Sequence, residues 1–198
     1  MVAMLAALLV PVAVAAEEYT WWIEPCTGAA ATATGCTAGD EQLGEWALAA
    51  WQRESGGAVA FRRSASEAGA RIRIRWAGGG RNLYGETRAI EAGGRRGAEI
   101  YVLPEVRALS PEIAAAAGGD VLLRDAIVYL TCLHESGHAL GLAHTREFTD
   151  IMYSFGYGGD VVEYFARYRR LLRSRADIAG HSGVSDNDRA ALRRVLIQ

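Results

Sequence analysis

One stretch of the chain, residues 134–144, has the sequence HESGHALGLAH and decides how the rest is interpreted. Its first two histidines, His134 and His138, are four positions apart, and the apolar residues before them recur at helical spacing. Side chains four residues apart lie on the same face of a helix, so both imidazoles are expected to project together. Two imidazole nitrogens about 2.0–2.1 Å from a common point would fill two positions of a tetrahedral zinc ion.

The end of the same stretch supplies a third histidine. Gly141 follows the last predicted helical turn, and glycine tolerates the positive φ that lets a chain leave a helix sharply. That turn can bring His144 back towards the other two. Three protein ligands leave the fourth position of zinc open for water, as in catalytic rather than structural sites. We therefore predict a catalytic zinc site formed by His134, His138 and His144.

Glu135 is the acidic residue of this stretch. It neighbours a predicted ligand but is offset around the helix, so its carboxylate can reach water on the metal instead of the metal itself. That position is typical of a general base in hydrolysis. The alternative is a set of surface histidines on an amphipathic helix. By chance, this spacing of residues would occur in fewer than about one chain in ten thousand on ordinary residue usage.

The pattern H-E-x-x-H-x-x-G-x-x-H followed by a methionine resembles the signature of the metzincin peptidases. Here Met152 follows His144 by eight positions within the sequence Asp-Ile-Met-Tyr. This short spacing is similar to the matrixin branch, the matrix-metalloprotease-like peptidases, and the likeness is tightest over residues 121–153. The resemblance implies a secreted zinc endopeptidase in which Glu135 is the base. It also implies that Met152 forms a hydrophobic floor beneath the zinc and is not a ligand.

For the fold, the resemblance implies an α/β (α+β) domain of the zincin type, with a mixed twisted sheet, an active-site helix and a C-terminal helix. A protein or peptide substrate would bind as an extended strand along an exposed edge strand, for which residues 83–90 are the candidate. Tyr153 or Tyr157 could assist at the substrate carbonyl, and packing is the alternative role for both. We expect the protein to be a monomer.

The sequence departs from the matrixin pattern at several positions. Thr145 and Ser154 stand where matrixins usually have serine and proline. No histidine precedes His134, so the second, structural zinc of matrixins is predicted to be missing and one catalytic zinc is expected. Calcium sites are not recognisable, which leaves calcium dependence open. Residues 154–184 are longer than the usual link to the last helix. The preference of matrixins for particular substrate side chains therefore cannot be carried over to this chain.

The first sixteen residues are uncharged and mainly apolar, and Ala13-Val14-Ala15 has the small-x-small pattern of a cleavage site. A signal peptide is predicted, although its usual basic start is missing; the alternative is a buried N-terminal helix. The stretch is shorter than the roughly 20 residues that span a bilayer, so no permanent membrane span is predicted. We predict a signal peptide at 1–16, a catalytic domain at 17–198, and a secreted, periplasmic or extracellular protein. The net charge of −2 gives no bulk attraction to nucleic acid.

Three cysteines are present. Cys26 and Cys36 are ten positions apart, and an exported protein can oxidise them, so a disulfide between them is predicted. The alternative is that Cys26 is a zinc ligand that keeps the enzyme latent, because Pro25-Cys26-Thr27-Gly28 faintly resembles the cysteine switch of the family. Cys132 precedes the histidine motif on the same predicted helix and is expected to be a buried apolar residue.

Hydrophobic periodicity and turn residues divide the domain into strands and helices. Strands are predicted at 19–23, 58–62, 71–76, 83–90 and 99–103. Helices are predicted at 40–54, from Pro111, from Asp120 through the histidine motif, at 161–175, and from Ser185 nearly to the C terminus. The low-complexity residues 27–39 are predicted to form a loop. Strict alternation in 71–76 predicts two faces: Ile72, Ile74 and Trp76 inward, and Arg71, Arg73 and Arg75 outward.

The predicted helix at 161–175 follows the methionine and is rich in arginine. Its arginines lie away from its apolar residues: Arg167, Arg169, Arg170, Arg173 and Arg175. We hypothesise that they present a positive face beside the cleft and favour acidic substrates. The alternative is that they are ordinary solvated charges.

Overall fold

The structure is a computed structural model, and it describes residues 16–79 and 83–197. The predicted signal peptide lies outside the described residues except for Ala16. Within the described part, no helix is long and apolar enough to cross a membrane.

Five strands form one mixed sheet. The strands are β1 (Glu17–Ile23), β2 (Val59–Arg63), β3 (Ile72–Trp76), β4 (Gly85–Ala92) and β5 (Arg95–Val102). Their order across the sheet is β2-β1-β3-β5-β4, with parallel pairing throughout except for the antiparallel pair β4 and β5. The strand predicted at 83–90 therefore exists as β4, and it lies at an edge of the sheet. Gly93 and Gly94, both with positive φ, form the tight turn between β4 and β5.

Six α-helices accompany the sheet in the described part of the chain. They are α1 (Gly28–Thr34), α2 (Asp40–Glu54), α3 (Pro111–Ala117), α4 (Val121–Ala139), α5 (Val161–Arg169) and α6 (Asp186–Leu196). The side chains of Ser110, Asp120 and Ser185 cap three of them, because each accepts a backbone N–H group at the start of α3, α4 and α6, respectively. The mixed α/β class predicted from the sequence is confirmed at this level.

The core lies between the sheet and the pair α2 and α4. Ile72, Ile74 and Trp76 of β3 are buried, as the alternation predicts. Trp51 of α2 is fully buried and donates a hydrogen bond from Nε1 to the carbonyl oxygen of Leu133 in α4, at 2.8 Å. This bond joins the two helices one residue before the histidine motif, so the core fixes the depth of α4 relative to the sheet.

Arg71 does not point to solvent, and that prediction is wrong. Its side chain is only 8% exposed, and its guanidinium donates to the carbonyl oxygens of Glu18 and Arg96 and to the carboxylate of Glu17. It also stacks over the ring of Tyr19 at 4.2 Å. Arg71 precedes the first residue of β3, so the alternation of the strand does not govern it, and backbone carbonyls of β1 and β5 hold it.

The loop predicted at 27–39 is also wrong in part, because α1 occupies residues 28–34. The segment is rich in alanine, the best helix former. The Cys26–Cys36 disulfide joins the two ends of this segment, and Gly35 ends the helix with a φ of +70°. The predicted disulfide is therefore confirmed. The alternative that Cys26 is a metal ligand is wrong, since its sulfur is bonded to Cys36. Cys132 is a free, buried cysteine, as predicted.

The helix predicted at 161–175 ends earlier than expected, at Arg169. Beyond it, the Asp177 carboxylate accepts the backbone N–H groups of Arg173 and Ser174, at 2.7 and 2.8 Å. These bonds start a separate 3-10 helix at Arg175–Ala179. A side-chain carboxylate thus takes the place of helix carbonyls as the acceptor for these two N–H groups, which is how a local side-chain bond competes with continued helix.

Candidate metal centre

The three histidines of the motif converge on one point. Nε2 of His144 lies 3.2 Å from Nε2 of His134 and 3.1 Å from Nε2 of His138. One ligand atom from each residue lies within 4.8 Å of the others, which is close enough to bind a single metal ion. His134 and His138 come from α4, and the turn that follows the helix supplies His144. The structure therefore brings together the ligands that the sequence predicts.

Two of the imidazoles are oriented from behind by backbone carbonyls. Nδ1 of His134 lies 2.6 Å from the carbonyl oxygen of Ile151, and Nδ1 of His138 lies 2.8 Å from that of Leu142. A carbonyl only accepts, so Nδ1 carries the proton in each ring and Nε2 keeps its lone pair. Lone pairs that face each other at about 3 Å repel unless a cation lies between them. The donor set therefore fits a metal ion, in the arrangement typical of metal-bound histidines.

Burial also keeps these rings neutral. It lowers the pKa of His134 to about 3, and it lowers the pKa of His138 as well, with a smaller contribution from the neighbouring rings. Neutral imidazole is the form that binds a metal, so no proton has to be displaced from either nitrogen at neutral pH.

Gly141 forms the turn that brings His144 back to the other two histidines. Its φ is +98°, a conformation that side chains other than glycine rarely adopt, and the backbone N–H of Leu142 returns to the carbonyl of Gly137. After the turn, the N–H of Thr145 donates to the carbonyl of Met152 at 2.8 Å. The segment from His144 to Met152 is thus a loop whose ends are joined by a backbone hydrogen bond.

Met152 lies under the helix that carries the two histidines. It is fully buried, and a Cβ added at Gly137 would be 2.5 Å from its sulfur. Gly137 lies between His134 and His138 in sequence, so the methionine packs against the segment that carries both ligands. This position agrees with the floor implied by the resemblance. The need for glycine at 137 was missed at the sequence level, because only the folded chain brings the sulfur to that point.

The N-terminus of α6 holds residues 150–152, the methionine segment, in place. The buried carboxylate of Asp188 accepts the backbone N–H groups of Ile151 and Met152, at 2.8 and 3.3 Å. Asp150 is buried as well, and its carboxylate accepts from the hydroxyl of Ser185 at 2.7 Å. Since Ile151 in turn accepts from the ring of His134, Asp188 is connected to the metal centre through one residue.

Glu135, which is also on α4, lines the same cavity as the three histidines. Only 6% of it is exposed, and its Oε2 accepts a hydrogen bond from the hydroxyl of Thr87 in β4, at 2.6 Å. A Cβ added at Gly85 would lie 2.6 Å from Cγ of Glu135, so the edge strand touches this side chain directly. Burial raises the pKa of Glu135 to about 7, and the bond from Thr87 partly opposes that rise.

A cavity of about 450 Å³ contains the three histidines and Glu135. Its remaining wall is mostly apolar and aromatic, with these main contributors: Tyr84, Leu130, Phe155, Tyr164 and Phe165. The cavity can therefore enclose a large apolar side chain next to the metal centre.

The two tyrosines considered from the sequence differ in position. Tyr153 lines the cavity and is buried, and its hydroxyl donates to the carbonyl of Gly158 at 2.8 Å. Tyr157 is 53% exposed and stacks beneath the guanidinium of Arg146 at 4.9 Å. Tyr157 does not line the cavity and the Tyr153 hydroxyl is engaged, so packing is the role that the structure supports for both.

The arginines of 161–175 do not form a positive wall of this cavity, and that part of the hypothesis is wrong. Arg169, Arg170 and Arg175 form ion pairs with Asp120, Glu163 and Asp125, respectively. Arg167 stacks on the ring of Tyr164 at 4.4 Å. The residues that α5 contributes to the cavity are its aromatic ones, Tyr164 and Phe165.

Comparison with protein-family models and with curated proteins finds no match for this chain.

Proposed function

We propose that this protein is a zinc-dependent endopeptidase of the metzincin, matrixin-like type. The observation that carries the proposal is the convergence of the Nε2 atoms of His134, His138 and His144 in the cavity that also contains Glu135. Three imidazoles that can bind one ion, with a carboxylate nearby that is not a ligand, are typical of catalytic zinc sites. Structural zinc sites are closed by four protein ligands, and no fourth ligand is near this triad among the described residues.

The three histidines would hold the zinc, and Asp188 and the Ile151 carbonyl would support them from behind. When bound, zinc supplies Lewis acidity, which polarises the scissile carbonyl and makes water a better nucleophile. Glu135 takes the proton from the attacking water and later delivers it to the leaving amine. Its burial in the cavity favours this exchange, because a carboxylate with reduced hydration accepts a proton more readily.

Thr87 acts as a positioning residue in this proposal. Its hydroxyl donates to the Glu135 carboxylate, which has few other polar partners in an apolar surrounding. The bond restricts rotation of the carboxylate and keeps one oxygen against β4. The other oxygen, Oε1, takes no part in this bond and lies beside Gly85.

The free edge of β4 is the proposed binding site for the substrate main chain. Leu103 donates its backbone N–H to the carbonyl of Tyr84, and hydrogen-bonded pairs alternate along an antiparallel ladder. By this alternation, Gly85, Thr87 and Ala89 direct their backbone N–H and C=O groups away from β5. An extended peptide can add to this edge as a further strand, with one side chain entering the aromatic cavity.

We further propose that the protein is exported after removal of residues 1–16. The Cys26–Cys36 disulfide supports this, because such bonds persist in oxidising compartments. One zinc per chain, a monomeric state and the absence of nucleic-acid binding remain predictions from the sequence.

The experiment that tests the proposal combines metal analysis with hydrolysis. The purified mature chain should contain about one zinc and should cleave members of a quenched fluorescent peptide library. Chelation should abolish the cleavage. Glu135→Gln should keep the metal and the fold but lose hydrolysis by roughly two orders of magnitude or more. A protein that binds zinc and peptides but cleaves none of them would contradict the proposal, as would wild-type activity in Glu135→Gln.

A further inference from the structure

A second cavity adjoins the metal centre. Its volume is about 350 Å³, and it lies between the β4–β5 hairpin and the C-terminal end of α4. Thr87 and His138 line both this cavity and the aromatic one, so the two are neighbours along the free edge of β4. Ala89 lies two residues beyond Thr87 and also lines the second cavity.

The second cavity has one charged residue in its wall, Arg96. Side chains alternate along β5, and Ala98, Ile100 and Val102 are buried on the helix side of the sheet. Arg96 lies two positions before Ala98 in the strand, so its side chain is on the same face of the sheet, the one that faces α4. Among the described residues, no aspartate or glutamate lines the cavity. Within residues 16–79 and 83–197, the Arg96 guanidinium has no ion pair with a carboxylate.

Arg96 is an exposed residue, and the acidic residues nearest to it in the fold do not pair with it. Glu17 is shared by two other cations, Arg71 at 3.0 Å and Arg95 at 3.5 Å. Glu91 lies directly across the ladder from Arg96, yet its carboxylate is not within 4 Å of the guanidinium and does not line the cavity. The buried guanidinium of Arg71 also donates to the backbone carbonyl of Arg96, which adds positive charge nearby.

The geometry also fits an extended peptide that occupies both cavities. Successive residues of a strand advance about 3.3 Å, so a peptide lying along Gly85, Thr87 and Ala89 passes from the first cavity to the second within a few residues. The free backbone groups of Ala89 would hold the peptide there, and Arg96 would face one of its side chains or its terminus. A guanidinium binds carboxylates with charge-assisted hydrogen bonds.

We propose that the second cavity is a substrate subsite for a carboxylate, with Arg96 as the residue that recognises it. The subsite rests on the proposed peptidase function, and it determines which peptides are cleaved rather than how the bond is hydrolysed. The carboxylate belongs to an acidic side chain of the peptide or to its C-terminus. Both have the same chemistry at Arg96.

The test is a scan with paired peptides. Acetylated, amidated decapeptides with a common alanine–leucine background carry one Glu, or in the matched peptide one Gln, at successive positions. A further pair differs only in a free or amidated C-terminus. The parent enzyme should prefer Glu, or the free terminus, by roughly five- to tenfold in kcat/KM at one position, mainly through KM. Arg96→Gln should remove the preference, and Arg96→Lys should keep part of it.

Arg95→Gln is the matched control, because Arg95 is the adjacent arginine and does not line the cavity; it should keep the preference. Binding of the same peptide pairs to zinc-loaded Glu135→Gln, followed by fluorescence anisotropy, gives a readout without hydrolysis. Equal cleavage of all pairs by the parent, or a preference that survives Arg96→Gln, would overturn the subsite. Failure of the parent to cleave any peptide would overturn the peptidase function instead, and the binding measurement would still test Arg96.

Discussion

The contact between Thr87 and Glu135 is the most informative single-residue feature of the site. It joins the edge strand, where a substrate would pair, to the side chain proposed as the base. A carboxylate buried in apolar surroundings is free to adopt several rotamers unless a donor fixes it. Here one hydroxyl provides that donor, and no histidine ligand contributes to the bond.

We expect Thr87→Val to lower kcat roughly tenfold with little change in KM or metal content. The reason is that a hydrogen bond to a charged group contributes about 1.5–3 kcal/mol and the valine keeps the shape of the side chain. Steady-state kinetics on one fluorescent peptide would measure the effect. Thr87→Ser keeps the hydroxyl and should recover most of the rate. An equal loss in both variants would show that the methyl packing matters and the hydrogen bond does not.

Among the secondary-structure elements, the N-terminus of α6 is the one that supports the candidate metal centre from a distance. Asp188 accepts two backbone N–H groups of the methionine segment, and that segment holds the ring of His134. The position of a ligand therefore depends on a helix that begins more than forty residues after it.

Asp188→Asn should weaken zinc binding about 10- to 100-fold, as expected for partners that orient a metal ligand. It should also lower the free energy of unfolding by about 1–3 kcal/mol, because a buried acceptor is lost. Competition with a zinc chelator and denaturant unfolding would measure the two effects. Asp186→Asn is the control: Asp186 is an exposed residue of the same helix, paired with Arg189. Equal effects of the two substitutions would contradict a specific role for Asp188.

The short helix α1 depends on its cross-link. The Cys26–Cys36 bond closes a loop of about ten residues, which corresponds to about 2–3 kcal/mol of stability in the chain-entropy treatment. The double variant Cys26→Ser, Cys36→Ser should therefore unfold at lower denaturant concentration and keep its zinc. If its stability equals that of the parent, the disulfide has no part in holding this segment. Cys132→Ala is a matched cysteine control outside the bond.

At the scale of the whole molecule, the apolar core and the candidate metal centre are distinct regions. The sheet, α2 and α4 bury a continuous apolar core, and Trp51 joins the two helices within it. The histidines lie at the margin of this core, where α4 meets the cavity. Folding of the core should therefore not require the ion.

Removal of zinc by a chelator should leave the protein folded and should lower its Tm. A ligand that binds only the native state adds RT ln(1 + [L]/Kd) to stability, which is about 4 kcal/mol when zinc is in thousandfold excess over Kd. Far-ultraviolet circular dichroism and a thermal melt, before and after chelation, would test this. Restored Tm on adding zinc is the control for damage. Loss of all secondary structure on chelation would contradict the separation of core and site.

The amino-acid sequence by itself predicted the histidine triad that the structure brings together, the starts of α3, α4 and α6, the disulfide and the inward face of β3. All of these follow from spacing or from residues close in the chain, because helical and strand periodicities are local properties. The tertiary structure alone decided three features: the burial of Arg71, the end of α5 at Arg169, and the bonds from Thr87 and Asp188 to the site. Each depends on groups distant in sequence or on competition between local hydrogen bonds. Arg71 becomes buried because carbonyls of β1 and β5 surround it, and Thr87 reaches Glu135 because the sheet packs on α4.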